Sequence, residues 1–334
     1  MTFYEEQCKQ AWKTTQANLW YLPPFCRLYF DYSESKMSAK TLSVRSFTLK
    51  SFFKFIIENI DEFKHLSTVD FSLGYVKQIK TEHIEMFKQN FIDNGLKLSV
   101  ANNNVSTVRA FFKFYVDKRY VSFNPAQGVP HDKRKRLPIV KLSEQEATAF
   151  LQAISHDKRE ENNVHMINDW IVKRDKTIMI LFLGTGIRIS ELIGLNTHDV
   201  DFANSQFTVT LKGGKSGTIY MNDYVKEHLQ KYFDYKKFNH EQNAPLFASQ
   251  THDRICTVTL TDIIKKYAKW AGINKKVTSH TLRKTFGCNI YNATGDIFMT
   301  AKLLNHVDVA TTTKHYVDID EDKKRDALQK LKMM

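Results

Sequence analysis

The 334 residues are 42% hydrophobic and 13% aromatic, enough for packed cores in two domains and incompatible with a disordered or fibrous chain. Lys+Arg number 49 against Asp+Glu 36, a formal net charge of +13, which favours a polyanionic partner, nucleic acid first. Cys8, Cys26, Cys256 and Cys288 show neither CxxC nor Cys/His spacing, and no apolar run reaches the roughly 20 residues that span a bilayer, so reduced thiols, no zinc and no membrane segment are expected.

The N-terminal stretch "MTFYEEQCKQAWKTTQANLW" lacks a basic segment followed by an apolar one, which predicts a cytoplasmic protein, and residues 1–34 read as an N-terminal extension. Two segments then nearly repeat: "TLKSFFKFIIENI" and "TVRAFFKFYVDKR" match Phe52, Phe53, Phe55 and Ile56 with Phe111, Phe112, Phe114 and Tyr115. Both carry the spacing of an amphipathic helix. The rings read as core. Lys50, Lys54, Arg109 and Lys113 among them read as solvated cations or as phosphate contacts. A third helix starts near Thr81 and stops at Asn94-Gly95, so 35–125 forms a small all-helical domain.

Prolines, a glycine and a basic cluster break all periodicity in "NPAQGVPHDKRKRLP", which predicts a linker over 126–140. Lys133, Arg134, Lys135 and Arg136 are either solvated there or laid along phosphates. A second domain over 141–320 opens with a capping box, Ser143 with Glu146. "DKTIMILFLGTG" is a buried helix stopped by Gly184 and Gly186, and "IRISELIGL" a short one. Phe207, Val209 and Leu211 alternate with Thr208, Thr210 and Lys212 before a turn at Gly213-Gly214, which predicts a hairpin, and helix resumes after Thr261. The fold class is mainly α with a small antiparallel β-sheet. In the tail, 321–334, Ala327, Leu328 and Leu331 share one narrow apolar face.

Arg188 and Glu191 share a helix face, as do His280 and Arg283 behind Ser279 as N-cap, with Leu282, Phe286 and Ile290 buried. Each pair alone reads as an ordinary exposed face. Tyr316 is odder: it stands in "LLNHVDVATTTKHYVDIDED" with little apolar around its ring.

Taken in order, Arg188, Glu191, Lys212, His280, Arg283, His306 and Tyr316 in "TGIRISELIGL", "LKGGKSGTIYM", "SHTLRKTF" and "LLNHVDVATTTKHYV" resemble the tyrosine recombinase (phage integrase) family. A narrower likeness, in "LPPFCRLYFDYSESKMSAKTL", "LKGGK" and "IYNATGD", is to the single-protein Xer recombinases of streptococci and lactococci. Three positions depart from the pattern. Lys284 replaces a frequent second histidine, Asn305 replaces the usual glycine, and Tyr316 follows His306 by ten residues where Xer proteins generally have nine.

The resemblance implies a helical, SAM-like core-binding domain, a tyrosine-recombinase catalytic domain, and a site-specific recombinase that cuts and rejoins double-stranded DNA through a 3′-phosphotyrosine. The biological task would be integration or excision of a mobile element, or chromosome dimer resolution. It further implies a tetramer on two DNA sites coupled by the docking tail, an accessory directionality or host factor, and neither cofactor nor metal. Tyr316 would be the nucleophile, Arg188 and Arg283 the clamp on the phosphate, His280 and His306 further donors, and Glu191 the orienting carboxylate. Lys212 would be the general acid; Lys215 competes for that role and otherwise contacts DNA. A type IB topoisomerase-like relaxing enzyme and a catalytically silent DNA-binding regulator are the alternatives.

Overall fold

The computed structural model describes residues 2–132, 139–155, 169–236 and 244–306. The chain divides near residue 136 into two compact units.

The first unit is all helical. Helix α1 (Phe3–Leu19) begins with a reciprocal cap in which Glu5 N donates to Thr2 Oγ1 at 3.2 Å and Thr2 N to Glu5 Oε2 at 2.7 Å. It is followed by α2 (Cys26–Glu34), α3 (Ala39–Asn59), the single turn α4 (Leu73–Val76), α5 (Thr81–Asp93) and α6 (Leu98–Asp117). The near-repeat is the core of this unit: Phe52, Phe53 and Ile56 of α3 and Phe111, Phe112 and Tyr115 of α6 are buried. Their rings meet edge to face, Phe53 with Phe111 at 5.8 Å and Phe52 with Phe87 of α5 at 5.2 Å between centroids.

Two expected boundaries differ in the fold. Residues 1–34 are not an appendage, because Leu19, Leu22, Cys26, Tyr29 and Phe30 lie in the same core, and Tyr115 Oη donates to Phe25 O at 2.7 Å. Small polar groups let α1 approach α3 closely: Thr15 and Ser46 are fully buried, and Asn18 Nδ2 donates to Ser46 Oγ at 2.9 Å. The expected linker also starts late, since Ala126 and Val129 are core residues. Arg109 donates to Ala126 O and Val129 O at 3.0 and 2.8 Å, and buried Lys88 donates to Pro130 O and Asp132 Oδ2 at 2.8 and 2.6 Å. Segment 126–132 thus belongs to the helical unit.

The second unit opens with α7 (Glu144–Ser155), capped by Ser143 and Glu146 in the reciprocal manner the sequence predicts. Helix α8 (Asp169–Thr185) packs against α7 and buries Ile178 through Phe182. Then come α9 (Ile189–Gly194), strands β1 (Val200–Asp201), β2 (Gln206–Thr210) and β3 (Ser216–Tyr220), and helices α10 (Asp223–Lys236), α11 (Thr257–Trp270), α12 (Ser279–Thr294) and α13 (Ile297–Leu303). The strands form one antiparallel sheet in order β1-β2-β3, with Phe207 opposite Ile219 and Thr210 opposite Ser216. Phe207, Val209 and Ile219 face the core, as the alternation requires. The chain is therefore mainly α with a small antiparallel sheet.

Gly184 lies inside α8 rather than beyond it: a Cβ there would sit 2.4 Å from Val225 Cγ2, so the glycine admits α10. Inside the unit, Arg174 pairs with Asp175 at 2.6 Å, Tyr267 of α11 donates to Asp175 at 3.1 Å, and Arg174 donates to Ala248 O at 2.6 Å. This buried ion pair is thus hydrogen-bonded on several sides, the condition under which burial of charge is tolerated. Among the described residues no helix is long and apolar enough to cross a membrane.

Candidate active site

The site is assembled where the α8–α9 turn, α12 and the end of α13 meet. Gly186 makes the turn with φ +64, and a Cβ on it would lie 2.4 Å from Phe286 Cδ1 and 3.0 Å from Leu304 Cδ2. Only glycine meets both the left-handed backbone and the space. Arg188 is the N-cap of α9; its N–H donates to Glu191 Oε2 at 2.9 Å and its Nη1 to Glu191 Oε1 at 2.6 Å. Both carboxylate oxygens therefore hold Arg188. The Glu191 side chain is 2% exposed and that of Arg188 36%, so this is not the solvated surface pair that the spacing alone suggests.

The same guanidinium donates from Nη2 to Asn305 O at 3.1 Å. Arg283, buried on α12, donates to Gly186 O and to Leu304 O. Two arginines from different helices thus reach consecutive carbonyls of one turn. Leu304 packs with Phe286 and Ile297 beneath them.

That turn is a Schellman motif: His306 N donates to Ala301 O at 3.0 Å and Asn305 N to Lys302 O at 2.9 Å, with Asn305 at φ +48. The departure from glycine at 305 is explained by this geometry, because asparagine is among the few side chains that enter the left-handed region readily. His306 follows at once, half-buried.

Lys212 and Lys215 are exposed on either side of Gly213 (φ +89) and Gly214 (φ +79), in a turn closed by Leu211 N to Lys215 O at 2.7 Å. The hairpin is joined to the arginine-held turn through Asn305 Nδ2, which donates to Thr218 O of β3 at 3.3 Å. His280 is exposed in the first turn of α12, one turn ahead of Arg283, and the cap of that helix is Thr278 rather than Ser279, accepting from Thr281 N at 3.2 Å. Tyr316 lies outside the described residues. So do Lys133, Arg134, Lys135, Arg136 and the tail.

Of the basic residues proposed as phosphate contacts in the helical unit, Arg109 is half-buried and donates from Nε to Ala126 O and from Nη2 to Val129 O. Lys50 lies 3.7 Å over the Tyr21 ring, while Lys54 pairs with Glu58 at 3.7 Å and Lys113 with Asp117 at 2.9 Å on exposed helix faces. Sequence reasoning noticed Asn305 only as a departure and missed its contacts. The available signal was an asparagine directly after a helical run, a common mark of a left-handed C-terminal turn.

Residues 142–323 match the model of the phage integrase family. The tyrosine recombinase XerC of Thermodesulfovibrio yellowstonii is 31% identical over 258 residues, which cover 75% of this chain and 82% of that protein. The chain belongs to the phage integrase family. It is a tyrosine-type site-specific DNA recombinase, and neither a relaxing enzyme nor a silent regulator is favoured. XerC of Chlorobaculum tepidum is 26% identical over 310 residues, 89% of this chain and 90% of that recombinase. Among solved structures, the Tn1549 transposon integrase in complex with transposon right end DNA shares the fold with TM-score 0.69 at 19% identity, over 92% of this chain and 98% of that one. XerH bound to its difH substrate does so with TM-score 0.64 at 19% identity, over 88% of this recombinase and 81% of that chain.

Proposed function

We propose that this recombinase cleaves double-stranded DNA by attack of the Tyr316 hydroxyl on a scissile phosphate, forming a 3′-phosphotyrosine and releasing a 5′ hydroxyl that later reverses the step on a partner strand. The phosphodiester bond energy is kept in the intermediate, so neither nucleotide nor metal is required. The phosphate's nonbridging oxygens gain charge as the fifth ligand arrives, and planar, permanently charged guanidinium groups suit that charge. Arg188 and Arg283 fill this role, His280 and His306 add donors, and Glu191 holds Arg188. A phenol has an ordinary pKa near ~10, so Tyr316 needs a proton acceptor, and His280 is the candidate. Lys212 protonates the leaving 5′ oxygen.

What most supports the reading is the convergence of Arg188 and Arg283 on Leu304 O and Asn305 O, directly before His306. The related integrase and XerH were solved on DNA, which supports DNA as this chain's partner. Segment 35–125, with the helices before it, would serve as the core-binding domain. Lys50, Lys54, Lys113 and Lys215, together with the cluster 133–136, would contact phosphates. Exchanging the exposed ion pairs of Lys54 and Lys113 for phosphate costs little, because such pairs contribute only about 0–1 kcal/mol. The assembly would be a tetramer on two sites, joined by the 321–334 tail, with an accessory factor setting direction. Its task would be movement of a mobile element or dimer resolution, carried out in the cytoplasm.

The test is Tyr316→Phe with a nicked suicide substrate on a denaturing gel. Specific DNA binding should stay within about twofold of the parent, and the covalent adduct should vanish. A persisting adduct would assign the nucleophile elsewhere.

A further inference from the structure

Asn305 occupies a position whose backbone a glycine would serve at lower conformational strain, because φ is +48 there. Its side chain does something glycine could not: Nδ2 donates to Thr218 O, in the strand that returns from the Lys212 turn. Its own carbonyl accepts from Arg188, and the next residue is His306. One residue therefore touches the arginine, the histidine-bearing turn and the hairpin. The connection 212–215 is otherwise exposed and passes through two glycines in the left-handed region, and the hydrogen bonds that close it, Leu211 N to Lys215 O and Gly214 N to Leu211 O, lie within the turn itself and do not tie it to the arginine-held turn.

We propose that Asn305 is a positioning residue for the Lys212 hairpin: its amide ties β3 to the arginine-held turn, so that the Lys212 ammonium stands at a set distance from the phosphate held by Arg188. The inference rests on Lys212 being the general acid. In that step the bond from phosphorus to the 5′ oxygen breaks, the oxygen leaves with its electron pair and takes the proton from Lys212 Nζ, and the lysine becomes neutral until the reverse step returns the proton. A loosened hairpin slows this transfer and leaves the electrostatic hold on the phosphate unchanged.

Two substitutions separate the side-chain bond from the backbone geometry. Asn305→Gly keeps the left-handed turn and removes the amide, while Asn305→Asp keeps size and turn preference but offers Thr218 O a carboxylate in place of a donor. Cleavage is measured on suicide substrates with either a normal 5′ oxygen or a 5′-bridging sulfur, which leaves as a thiolate without needing a proton. Both variants should cleave the oxygen substrate at least tenfold more slowly than the parent and the sulfur substrate at the parental rate, with unchanged DNA affinity. Deuterium uptake at amides 211–217 should be faster in both. Parental rates on the oxygen substrate would overturn the proposal, and so would an equal slowing on both substrates, which would place the effect on the His306 turn. Lys212→Ala in the same assay distinguishes the two levels. If it is not rescued by sulfur, the general-acid reading fails; if it is rescued and Asn305→Gly behaves as the parent, only the role of Asn305 fails.

Discussion

Glu191 shows how a buried residue can govern a more exposed one, here Arg188, the side chain proposed to hold the phosphate. Its carboxylate is buried and accepts from both the backbone N–H and the side chain of Arg188, so it stiffens the N-terminus of α9 and sets the direction of the guanidinium at once. Glu191→Ala would leave those donors without their acceptor, with a cost of about 1–3 kcal/mol, because hydrogen bonds to charged groups contribute at that level. Glu191→Gln keeps one acceptor and should cost less. Urea unfolding gives the stability of both. In the cleavage assay, Glu191→Ala should slow oxygen and sulfur substrates alike, since in the proposed mechanism it acts, through Arg188, on phosphate binding and not on the leaving group. Selective rescue by sulfur would contradict this division between Arg188 and Lys212.

At the scale of elements, helix α5 couples the helical unit to pH. His83 lies in its first turn, 4% exposed, with Phe63 edge-on at 5.9 Å between ring centroids. Lys80 N donates to His83 Nδ1 at 3.3 Å, which a proton on that nitrogen would oppose. Burial holds the pKa below its ordinary value near 6.5, against a raising influence from Glu62 and Glu82, while Lys80 acts with burial. As pH falls, the unfolded chain takes up the proton first. The contribution of His83 is thus complete above pH ~6.5 and declines as pH drops through that value towards the lower folded one. The urea midpoint should therefore fall further between pH 7.5 and 5.5 in the parent than in His83→Gln, whose amide oxygen still accepts from Lys80 N. Equal falls would show that the imidazole does not titrate with unfolding. Elsewhere the elements are joined by backbone acceptors: Arg283 fastens α12 to Gly186 O and Leu304 O, so the histidine-bearing turn is held by side chains and not by strand pairing.

For the molecule as a whole, the net charge of +13 predicts a strongly salt-dependent grip on DNA. Each phosphate neutralised on a duplex adds roughly −0.9 to the slope of log affinity against log salt. Replacing Lys133, Arg134, Lys135 and Arg136 by alanine should flatten that slope by up to ~3–4 and weaken binding to target and scrambled duplexes alike, since phosphate contacts position a protein without reading bases. Titrations at several salt concentrations check this. An unchanged slope would mean that the cluster is only solvated, and a loss confined to the target would mean that it reads sequence.

Local pattern determined the aromatic helices α3 and α6, the Ser143–Glu146 cap, the hairpin and its glycine turn, and the order of the site residues from Arg188 to His306. Each is written in periodicity, in turn chemistry or in a motif a few residues long. Tertiary structure alone decided the rest. Helix α1 joins the core through Thr15, Asn18 and Leu19, with Trp12 packed against it, a mixture of polar and apolar groups too sparse to read as an apolar stripe, so residues 1–34 read as an extension. Arg109, set among core rings, gives no sign in the sequence of its carbonyl partners 17 and 20 residues away. The contacts that build the site bridge 97 residues from Arg283 to Gly186, 117 from Arg188 to Asn305 and 87 from Asn305 to Thr218. Each ends on a main-chain carbonyl, which every residue type carries, so no side-chain pattern at the accepting position announces the bond.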